Sequence, residues 1–309
     1  MKQFKETDPK TYITECNAEC MPILTSCENA DSYEIPFFDT KQAYCYNNVE
    51  KIDCPAEGSN FYGQGENFSY LQQNYDTSDD DVITETVSGI IWQKAVYDGC
   101  ANGSECTFDE ARNYCENLDL DGYYDWKLPS ALYLPTIADF SAAEHIYSGF
   151  TGGVYWTAEG GIFKTADGTV TQGHTGTAQV KCIRAICANC EPNVVVQYTP
   201  ALMMHFRSIN AYAIWDLEDI TETTWQEAFD ICNGVDTNGL NKMRLPTVNE
   251  LITLIDTVNG GSLISGFHET VWTSTTWNND VSQAYVVDFS SLNLTTAPKT
   301  NSHFVICVE

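Results

Sequence analysis

Apolar and polar residues follow the same order in two halves of the chain. In the first half, the apolar run SGIIWQK carries Trp92 near its end and predicts a buried strand. The next segment, TFDEARNYCENL, places Phe108, Ala111 and Cys115 three and four positions apart. That spacing puts the three side chains on one face of a helix, so the pattern predicts a strand followed by an amphipathic helix.

The second half repeats this pattern. AYAIWDL carries Trp215 at the end of a strand-type run, and TTWQEAFDICN places Trp225, Ala228 and Cys232 on one helical face. Both helices begin with a Thr-x-x-Glu capping box, in which the threonine caps a free backbone N–H and the glutamate reaches back to the threonine. The two boxes are Thr107 with Glu110 and Thr224 with Glu227.

Later landmarks keep the same spacing in both halves, which indicates an internal duplication. Thirteen residues separate the helix cysteine from a Leu-Pro pair in each half, and 27 and 26 residues separate that proline from the next strand tryptophan. The landmarks are Cys115, Leu128, Pro129 and Trp156 in the first half, and Cys232, Leu245, Pro246 and Trp272 in the second. Each half closes with a short strand that carries a cysteine, Cys182 or Cys307.

The phrase RLPTVNELITLID predicts a second capped helix in the second half. Thr247 is its expected N-cap and Glu250 lies at the third helical position, while Leu251, Leu254 and Ile255 form the apolar face.

The first half carries an altered copy of this phrase, YDWKLPSALYLPTIADF. Ser130 is still expected to cap the helix, but Tyr133 replaces the glutamate and Pro135 falls inside the helix. Because an interior proline removes a hydrogen bond and clashes with the preceding turn, this helix is expected to be kinked, shortened or partly 3₁₀.

The repeated order of strand, helix, helix and strands predicts an α+β fold with two tandem domains at 81–190 and 191–309. A cysteine-rich segment, 1–80, precedes them. At 309 residues the chain is long enough for two domains with their own cores.

Thirteen cysteines point to an oxidising compartment and to disulfides. Zinc is disfavoured, because the CxxC at Cys187 and Cys190 has neither a second pair nor a nearby histidine. The expected pairs are Cys45–Cys54, Cys100–Cys106, Cys115–Cys182 and Cys232–Cys307. For Cys16, Cys20 and Cys27 the candidate partners are Cys187 and Cys190. Since thirteen is odd, at least one thiol is free or bonded to another chain.

The chain carries 43 acidic and 15 basic residues, a formal net charge of −28. This charge repels nucleic acid and anionic membrane surfaces, so neither is expected as a partner. No apolar run approaches the roughly 20 residues that span a bilayer, so membrane insertion is not expected either. The acidity is typical of a secreted protein kept soluble by charge, or alternatively of a protein that binds divalent cations.

Two loops contain candidate binding residues. NYDTSDDDVITE holds Asp76, Asp79, Asp80 and Asp81, whose oxygens suit Ca²⁺, although the same residues are also typical of a solvated acidic turn. The loop Trp277–Asn278–Asn279–Asp280 offers polar and aromatic side chains between Trp272 and the last strands, and is the best candidate for a ligand loop. The alternative is an ordinary hairpin turn.

The ordered set SGIIWQK, TFDEARNYCENL, KLPS, VYWTAE and VKCIRA resembles the bacterial repeat called domain of unknown function 1566, or the C-terminal domain of the Legionella collagen-like adhesin. The second half resembles it through TWQEAFDIC, MRLPTVNELITLID, VWTST and HFVICVE. The resemblance implies a C-type-lectin-like fold, with two helices packed on a small twisted antiparallel sheet in each domain. It also implies a secreted or surface-exposed bacterial protein.

These observations predict a protein that binds or assembles and does not catalyse. The first hypothesis is an adhesin that recognises an extracellular glycan or protein, with Ca²⁺ as the one candidate cofactor. The second is a structural subunit of an extracellular filament or surface layer, which makes a homo-oligomer the expected state. The third is an enzyme of the formylglycine-generating type, disfavoured because Cys232 and Cys307 are expected to be structural.

Overall fold

The computed structural model describes most of the chain from residue 39 to residue 308. The described residues are 39–68, 70, 72–86, 89–131, 133–142, 146–147, 149–184, 203–206, 211–214, 222–235, 242–252, 255–256, 261–262 and 268–308. The expectations for Trp215 and Leu254 lie outside these residues. So do those for Cys16, Cys20, Cys27, Cys187 and Cys190.

Short strands outnumber helices in the described residues, and the fold is α+β. The α-helices are α1 (Phe108–Glu116), α2 (Trp225–Asn233) and α3 (Val248–Leu251), and 3₁₀ helices lie at Gly65–Asn67 and Leu134–Ile137. The strands before the middle of the chain are β1 (Cys45–Tyr46), β2 (Lys51–Ile52), β3 (Tyr75–Asp76), β4 (Val82–Glu85), β5 (Ile91–Gln93), β6 (Val154–Trp156), β7 (Ile162–Lys164), β8 (Thr169–Thr171) and β9 (Ile183–Arg184). The later strands are β10 (Met203–Phe206), β11 (Ala211–Ile214), β12 (Ile255–Asp256), β13 (Gly261–Ser262), β14 (Thr270–Thr276), β15 (Gln283–Asp288), β16 (Asn293–Pro298) and β17 (Cys307–Val308).

One antiparallel sheet is shared by the two repeats. Its strand order is β14-β15-β16-β8-β7-β6, so three strands from the second repeat continue into three from the first. The junction is the pairing of β16 with β8, where Leu294 lies opposite Val170. Each repeat adds a smaller sheet that joins its opening and closing strands, β3-β4-β5-β9 in the first and β10-β11-β17 in the second.

The main hydrophobic core is also shared. Ile83 and Trp92 of the first repeat belong to the same buried cluster as Val271 and Val287 of the second. The family resemblance implies one small sheet for each domain; instead, the equivalent edge strands β8 and β16 pair with each other. This pairing satisfies backbone groups that two separate sheets would expose at their edges.

The capping boxes form where the sequence predicts them. In α1, Thr107 N–H donates to the Glu110 carboxylate at 2.8 Å, and Glu110 N–H donates to the Thr107 hydroxyl at 3.4 Å. In α2, the Glu227 carboxylate accepts from Thr224 N–H at 3.0 Å. Both helices turn their cysteine inward.

The second helix of the second repeat is shorter than expected. Thr247 and Glu250 form their capping box, but α3 ends at Leu251 and Ile255 lies in strand β12. Ile255 is therefore not part of a helical face, and that prediction was wrong. Isoleucine and threonine are β-branched and favour extended backbone, which is consistent with the chain entering the β12–β13 hairpin here.

The altered phrase of the first repeat forms a 3₁₀ helix at Leu134–Ile137 with Pro135 in its first turn, which confirms the expected distortion. The cap differs from expectation, because the Ser130 hydroxyl is buried with no hydrogen-bond partner among the described residues. The Glu159 carboxylate instead accepts from Ala131 N–H at 3.0 Å. In the second repeat the equivalent donor, Val248 N–H, meets the Thr275 hydroxyl at 3.0 Å.

The described residues between 39 and 76 pack against both repeats. Phe140 N–H of the first repeat donates to Thr40 O at 3.0 Å. Phe61 packs against Trp225 of the second repeat, with ring centroids 5.8 Å apart. Gly63 has φ +110°, and a Cβ at this position would lie 3.1 Å from Arg244 Cβ, so the close approach favours glycine. This described part of segment 1–80 is thus built into the core of the two repeats.

Four disulfides staple the described residues in the pairs that the sequence predicts. Cys232–Cys307 joins α2 to the closing strand β17, and Cys115–Cys182 joins α1 to the residue directly before the closing strand β9. Cys100–Cys106 and Cys45–Cys54 close short loops.

Candidate ligand-binding surface

The two Leu-Pro phrases form the same scaffold contacts in both repeats. Pro129 O accepts from Ala158 N–H at 2.8 Å, and Pro246 O accepts from Ser274 N–H at 2.7 Å. In each repeat the carbonyl group of the Leu-Pro proline therefore holds the backbone of the residue two positions after the strand tryptophan.

The strand tryptophans are equally matched. Trp156 Nε1–H donates to Cys106 O at 2.7 Å, and Trp272 Nε1–H donates to Thr223 O at 2.8 Å. Both acceptors directly precede the N-cap threonine of a helix. The indole hydrogen bond therefore connects the start of the helix to the sheet strand that carries the tryptophan. The repeated motif residues are thus scaffold, and ligand contacts are to be sought in the loops.

The loop Trp277–Asp280 is the hairpin turn between β14 and β15. Trp277 N–H donates to Gln283 O at 3.0 Å, and Asp280 N–H donates to Trp277 O at 3.2 Å. The Trp277 side chain packs against the main core, whereas Asn279 and Asp280 are exposed. Of the four predicted ligand residues, therefore, only these two are presented openly to solvent, Asn278 being half-buried.

Asp280 is held by its own turn. Its carboxylate accepts from the Ser282 hydroxyl at 2.6 Å, Ser282 N–H at 3.0 Å and Gln283 Nε2 at 3.0 Å. Hydrogen bonding from the Ser282 side chain, followed by that from Gln283, lowers the pKa of Asp280. The carboxylate is consequently charged and fixed in direction at neutral pH.

The same turn lies against the first repeat. Asn279 Nδ2 donates to Ala166 O at 3.3 Å, and the Tyr285 hydroxyl donates to Asp167 O at 2.7 Å. Ala166 and Asp167 belong to the turn between β7 and β8. We call the patch formed by Ala166, Asp167, Asn279 and Asp280 the seam surface. Both repeats contribute to it, which could not be read from either repeat alone.

The acidic turn at Asp76–Asp81 is organised by backbone donors. The Asp76 carboxylate accepts from Ser78 N–H at 2.9 Å, and the Asp79 carboxylate accepts from Asp81 N–H at 2.8 Å and Val82 N–H at 3.1 Å. Hydrogen bonding from Ser78 lowers the pKa of Asp76. Across the described residues, no group of three or more His, Cys, Asp or Glu side chains is placed to hold a metal ion. Calcium binding by Asp76, Asp79, Asp80 and Asp81 stays a prediction without support from this geometry.

Four buried basic residues, Lys181, Arg184, Arg244 and Lys299, were not singled out from the sequence. Arg244 makes a two-point ion pair with Glu250 at 2.7 and 2.5 Å, and Lys181 Nζ donates to Gln93 O and Lys94 O at 3.0 Å each. Burial lowers the pKa of Lys181 to about 8. A signal for Arg244 was available in the sequence, because an arginine lies six residues before the capping glutamate. Lys299 Nζ donates to Asn47 O at 2.8 Å and to the Thr276 hydroxyl at 2.9 Å. Arg184 Nε pairs with the Asp125 carboxylate at 2.5 Å.

The sequence model of the Lcl C-terminal domain family matches residues 81–184 and 205–309, one stretch for each repeat. The chain belongs to the Lcl C-terminal domain family. No curated protein matches the chain. The Lcl C-terminal domain is a bacterial surface-associated family and suggests an adhesion-associated protein.

The structure fits that setting through its disulfides. Disulfides in both Lcl C-terminal domains suit an extracellular protein. In the part of the chain that the structure describes, every helix is too short or too polar to cross a membrane.

Proposed function

We propose that this chain is a secreted or surface-displayed bacterial binding protein that recognises an extracellular glycan or protein through the seam surface. The observation that carries the proposal is the contact between Asn279 and Ala166 O, which brings exposed polar loops of both Lcl C-terminal domains together. A surface built on rigid hairpins needs little ordering on binding, which favours recognition.

Charge narrows the class of ligand. With a net charge of −28, the chain repels polyanions such as sulfated glycans, and a neutral glycan or a basic protein surface fits better. The carboxylates of Asp167 and Asp280 beside the Asn279 amide offer hydrogen-bond acceptors for hydroxyl groups or for a lysine or arginine side chain. We also propose that each Lcl C-terminal domain has a C-type-lectin-like fold and that it is related to domain of unknown function 1566.

Catalysis is not part of the proposal. A formylglycine-generating type of chemistry needs reactive thiols, and Cys232 and Cys307 are bonded to each other. That disulfide supports a structural role for both residues.

A glycan array and a panel of host surface proteins, each probed with and without Ca²⁺, test the proposal. The variant Asn279→Ala/Asp280→Ala is expected to lose at least ten-fold in affinity for any ligand found. The matched control is Val49→Ala, an exposed change on the β1–β2 hairpin, which leaves affinity unchanged. Binding that survives in the double variant places the ligand on another surface, and a complete absence of binding to glycans and proteins contradicts the adhesin function.

The second candidate function is a structural subunit of an extracellular filament or surface layer, which is favoured by the odd number of cysteines. The chain has thirteen cysteines, and the four disulfides of the described residues use eight of them. Five remain, an odd number, so one can crosslink two chains. Light scattering and non-reducing electrophoresis of native protein decide this point. Disulfide-linked polymers support the structural subunit. A single species of uniform size that does not change on addition of a reducing agent argues against it.

A further inference from the structure

Three asparagines of the chain begin the tripeptide Asn-x-Ser/Thr, which is the acceptor motif for N-linked glycans. They are Asn67 in NFS, Asn102 in NGS and Asn293 in NLT. The motif is short and also arises by chance, so it indicates a modification site only where the asparagine lies on an open surface loop. The three asparagines differ sharply in this respect.

The side chain of Asn67 is built into the segment that precedes the repeats. Its Oδ1 atom accepts from Gly63 N–H at 3.1 Å and from Gln64 N–H at 3.2 Å, and its Nδ2 atom donates to Pro55 O at 2.9 Å. Both polar atoms of this amide therefore face the protein. The nitrogen that would take the sugar is already engaged.

Asn293 lies at the junction of the two repeats. Its Oδ1 atom accepts from Gln172 N–H at 2.7 Å, and the next residue, Leu294, is buried in the shared core opposite Val170. A glycosyltransferase has to draw the acceptor tripeptide into its own active site. At Asn293 it would have to separate β16 from β8 to do so, and this asparagine is therefore part of the scaffold.

Asn102 is different, because it lies at the tip of a surface loop. Its side chain is exposed and forms no hydrogen bond with any residue in the described part of the chain. The disulfide Cys100–Cys106 closes the loop, and Cys106 N–H donates to Ala178 O at 2.9 Å, which anchors its base on the first repeat. Gly103 has φ +75°, and a Cβ there would meet nothing within 4 Å. The tip is thus open to an approaching enzyme.

The loop that carries Asn102 is an addition to the first repeat. Fifteen positions separate Trp92 from the N-cap Thr107, whereas nine separate Trp215 from the N-cap Thr224 in the second repeat. The shorter stretch of the second repeat contains no cysteine. Because one repeat forms its capped helix without such a loop, the exposed end of the loop is free to serve a purpose other than scaffolding.

We propose that Asn102 carries an N-linked glycan, transferred by a cellular glycosyltransferase from a glycosyl diphosphate. In the transfer, Asn102 Nδ2 forms a bond to the anomeric carbon of the first sugar. The bond from that carbon to the diphosphate oxygen breaks, and its electron pair leaves on the diphosphate. One Nδ2 proton passes to a base of the transferase. The motif requires a hydroxyl two residues after the asparagine, which makes Ser104 the residue that the transferase recognises.

A glycan at this tip protects the loop. Exposed loop tips with small or polar residues are preferred sites of proteolytic cleavage, and Ala101, Asn102 and Gly103 are all exposed. A bulky hydrated group on Asn102 excludes a protease from this turn. It does so without contact with the core that the two repeats share.

Mass spectrometry of the protein purified from the cells that make it tests the proposal. The peptide that contains the disulfide Cys100–Cys106 is expected to be heavier than its sequence by the mass of whole sugar residues, and fragment ions are expected to place the first sugar on Asn102. Peptides with Asn67 and Asn293 are expected at their sequence mass. One preassembled oligosaccharide indicates a lipid-linked diphosphate donor, and a ladder of single sugars indicates a nucleotide-linked donor. Either result supports the glycan.

Three results overturn the proposal. The first is an unmodified Asn102 in the native protein. The second is an aspartate at this position, which an Asn-Gly pair forms by spontaneous deamidation. The third is a glycan on Asn67 or Asn293 while Asn102 is bare, which would show that exposure in the folded protein does not select the acceptor.

Variants made in the same cells separate the roles of the loop residues. Asn102→Gln and Ser104→Ala are each expected to abolish the mass gain, whereas Ser104→Thr keeps the hydroxyl and retains it. Asn113→Gln, a change at an exposed asparagine outside the motif, is the matched control and retains the full gain. A glycan that persists in Asn102→Gln is attached to another residue and overturns the assignment.

Discussion

Val170 in β8 pairs with Leu294 in β16, and both side chains are buried in the core that the two repeats share. The two residues come from equivalent strands of different repeats. Their pairing converts two three-stranded halves into one six-stranded sheet. We therefore expect the two Lcl C-terminal domains to unfold together as one unit.

Leu294→Ala is expected to destabilise the whole molecule. Removing a fully buried leucine side chain costs about 2–5 kcal/mol in free energy of unfolding, because the cavity left behind closes only in part. Denaturant unfolding followed by tryptophan fluorescence should remain a single transition, with its midpoint at a lower denaturant concentration than in the wild type. The control, Val49→Ala at a position that is 71% exposed, changes stability by less than about 0.5 kcal/mol. Two separate transitions in the wild type would contradict the single unit.

Glu250→Leu is expected to cost about 3–5 kcal/mol, because it leaves the Arg244 guanidinium buried without its partner. The lost acceptor for Thr247 N–H, at 2.8 Å, adds to the effect. Arg244→Met/Glu250→Leu removes both charges and should recover part of the loss. Chemical denaturation of the wild type, both single variants and the double variant gives the coupling energy. Additive effects would show that the ion pair contributes nothing of its own.

Lys181 predicts a specific pH dependence of stability. Burial lowers its pKa to about 8 in the folded protein, below the usual 10.5. Between these values the unfolded chain binds more protons than the folded chain, so the free energy of unfolding rises with pH. From pH 8 to 9.5 the contribution of Lys181 is about 1.5 kcal/mol.

The measurement is denaturant unfolding at both pH values. Lys181→Met should lack the Lys181 contribution. The free energy of unfolding of the wild type should therefore increase relative to that of this variant as the pH rises. Lys127→Met, a change at an exposed lysine, keeps the wild-type response. Parallel pH curves for the wild type and Lys181→Met would rule out a shifted pKa at this site.

Removing the disulfides is expected to cost different amounts. In the chain-entropy account, Cys115→Ala/Cys182→Ala opens a loop of 67 residues and costs about 4 kcal/mol. Cys100→Ala/Cys106→Ala opens a loop of 6 and costs about 2 kcal/mol. Thermal and chemical unfolding of both variants gives the order. A larger cost for the shorter loop would contradict the entropic account.

Local features were predictable because each depends on residues close together in sequence. The capping boxes at Thr107 and Thr247 need a partner three residues away, and Pro135 distorts its own turn. The length of α3 was not predictable in this way. The apolar spacing of LITLID is compatible with a helix, and β12 prevails because it pairs with β13 in a hairpin.

The candidate site was predictable only in part. Sequence pointed to the loop Trp277–Asp280, but its contact with Ala166 depends on how the repeats pair. The contact between the Lys299 amine and the Thr276 hydroxyl gave no local signal, since the two residues are 23 positions apart and ordinary in type.

The sequence by itself determined the duplication, the capped helices, the four disulfide pairs of the described residues and the acidity, because all follow from residue type and spacing along the chain. The tertiary structure alone decided that β8 meets β16, that the described residues between 39 and 76 pack on both repeats, and that Lys299 is buried beside Thr276. These are contacts between surfaces brought together by folding. Their stability depends on the shape and hydrogen bonding of whole elements, which no local pattern of residues encodes.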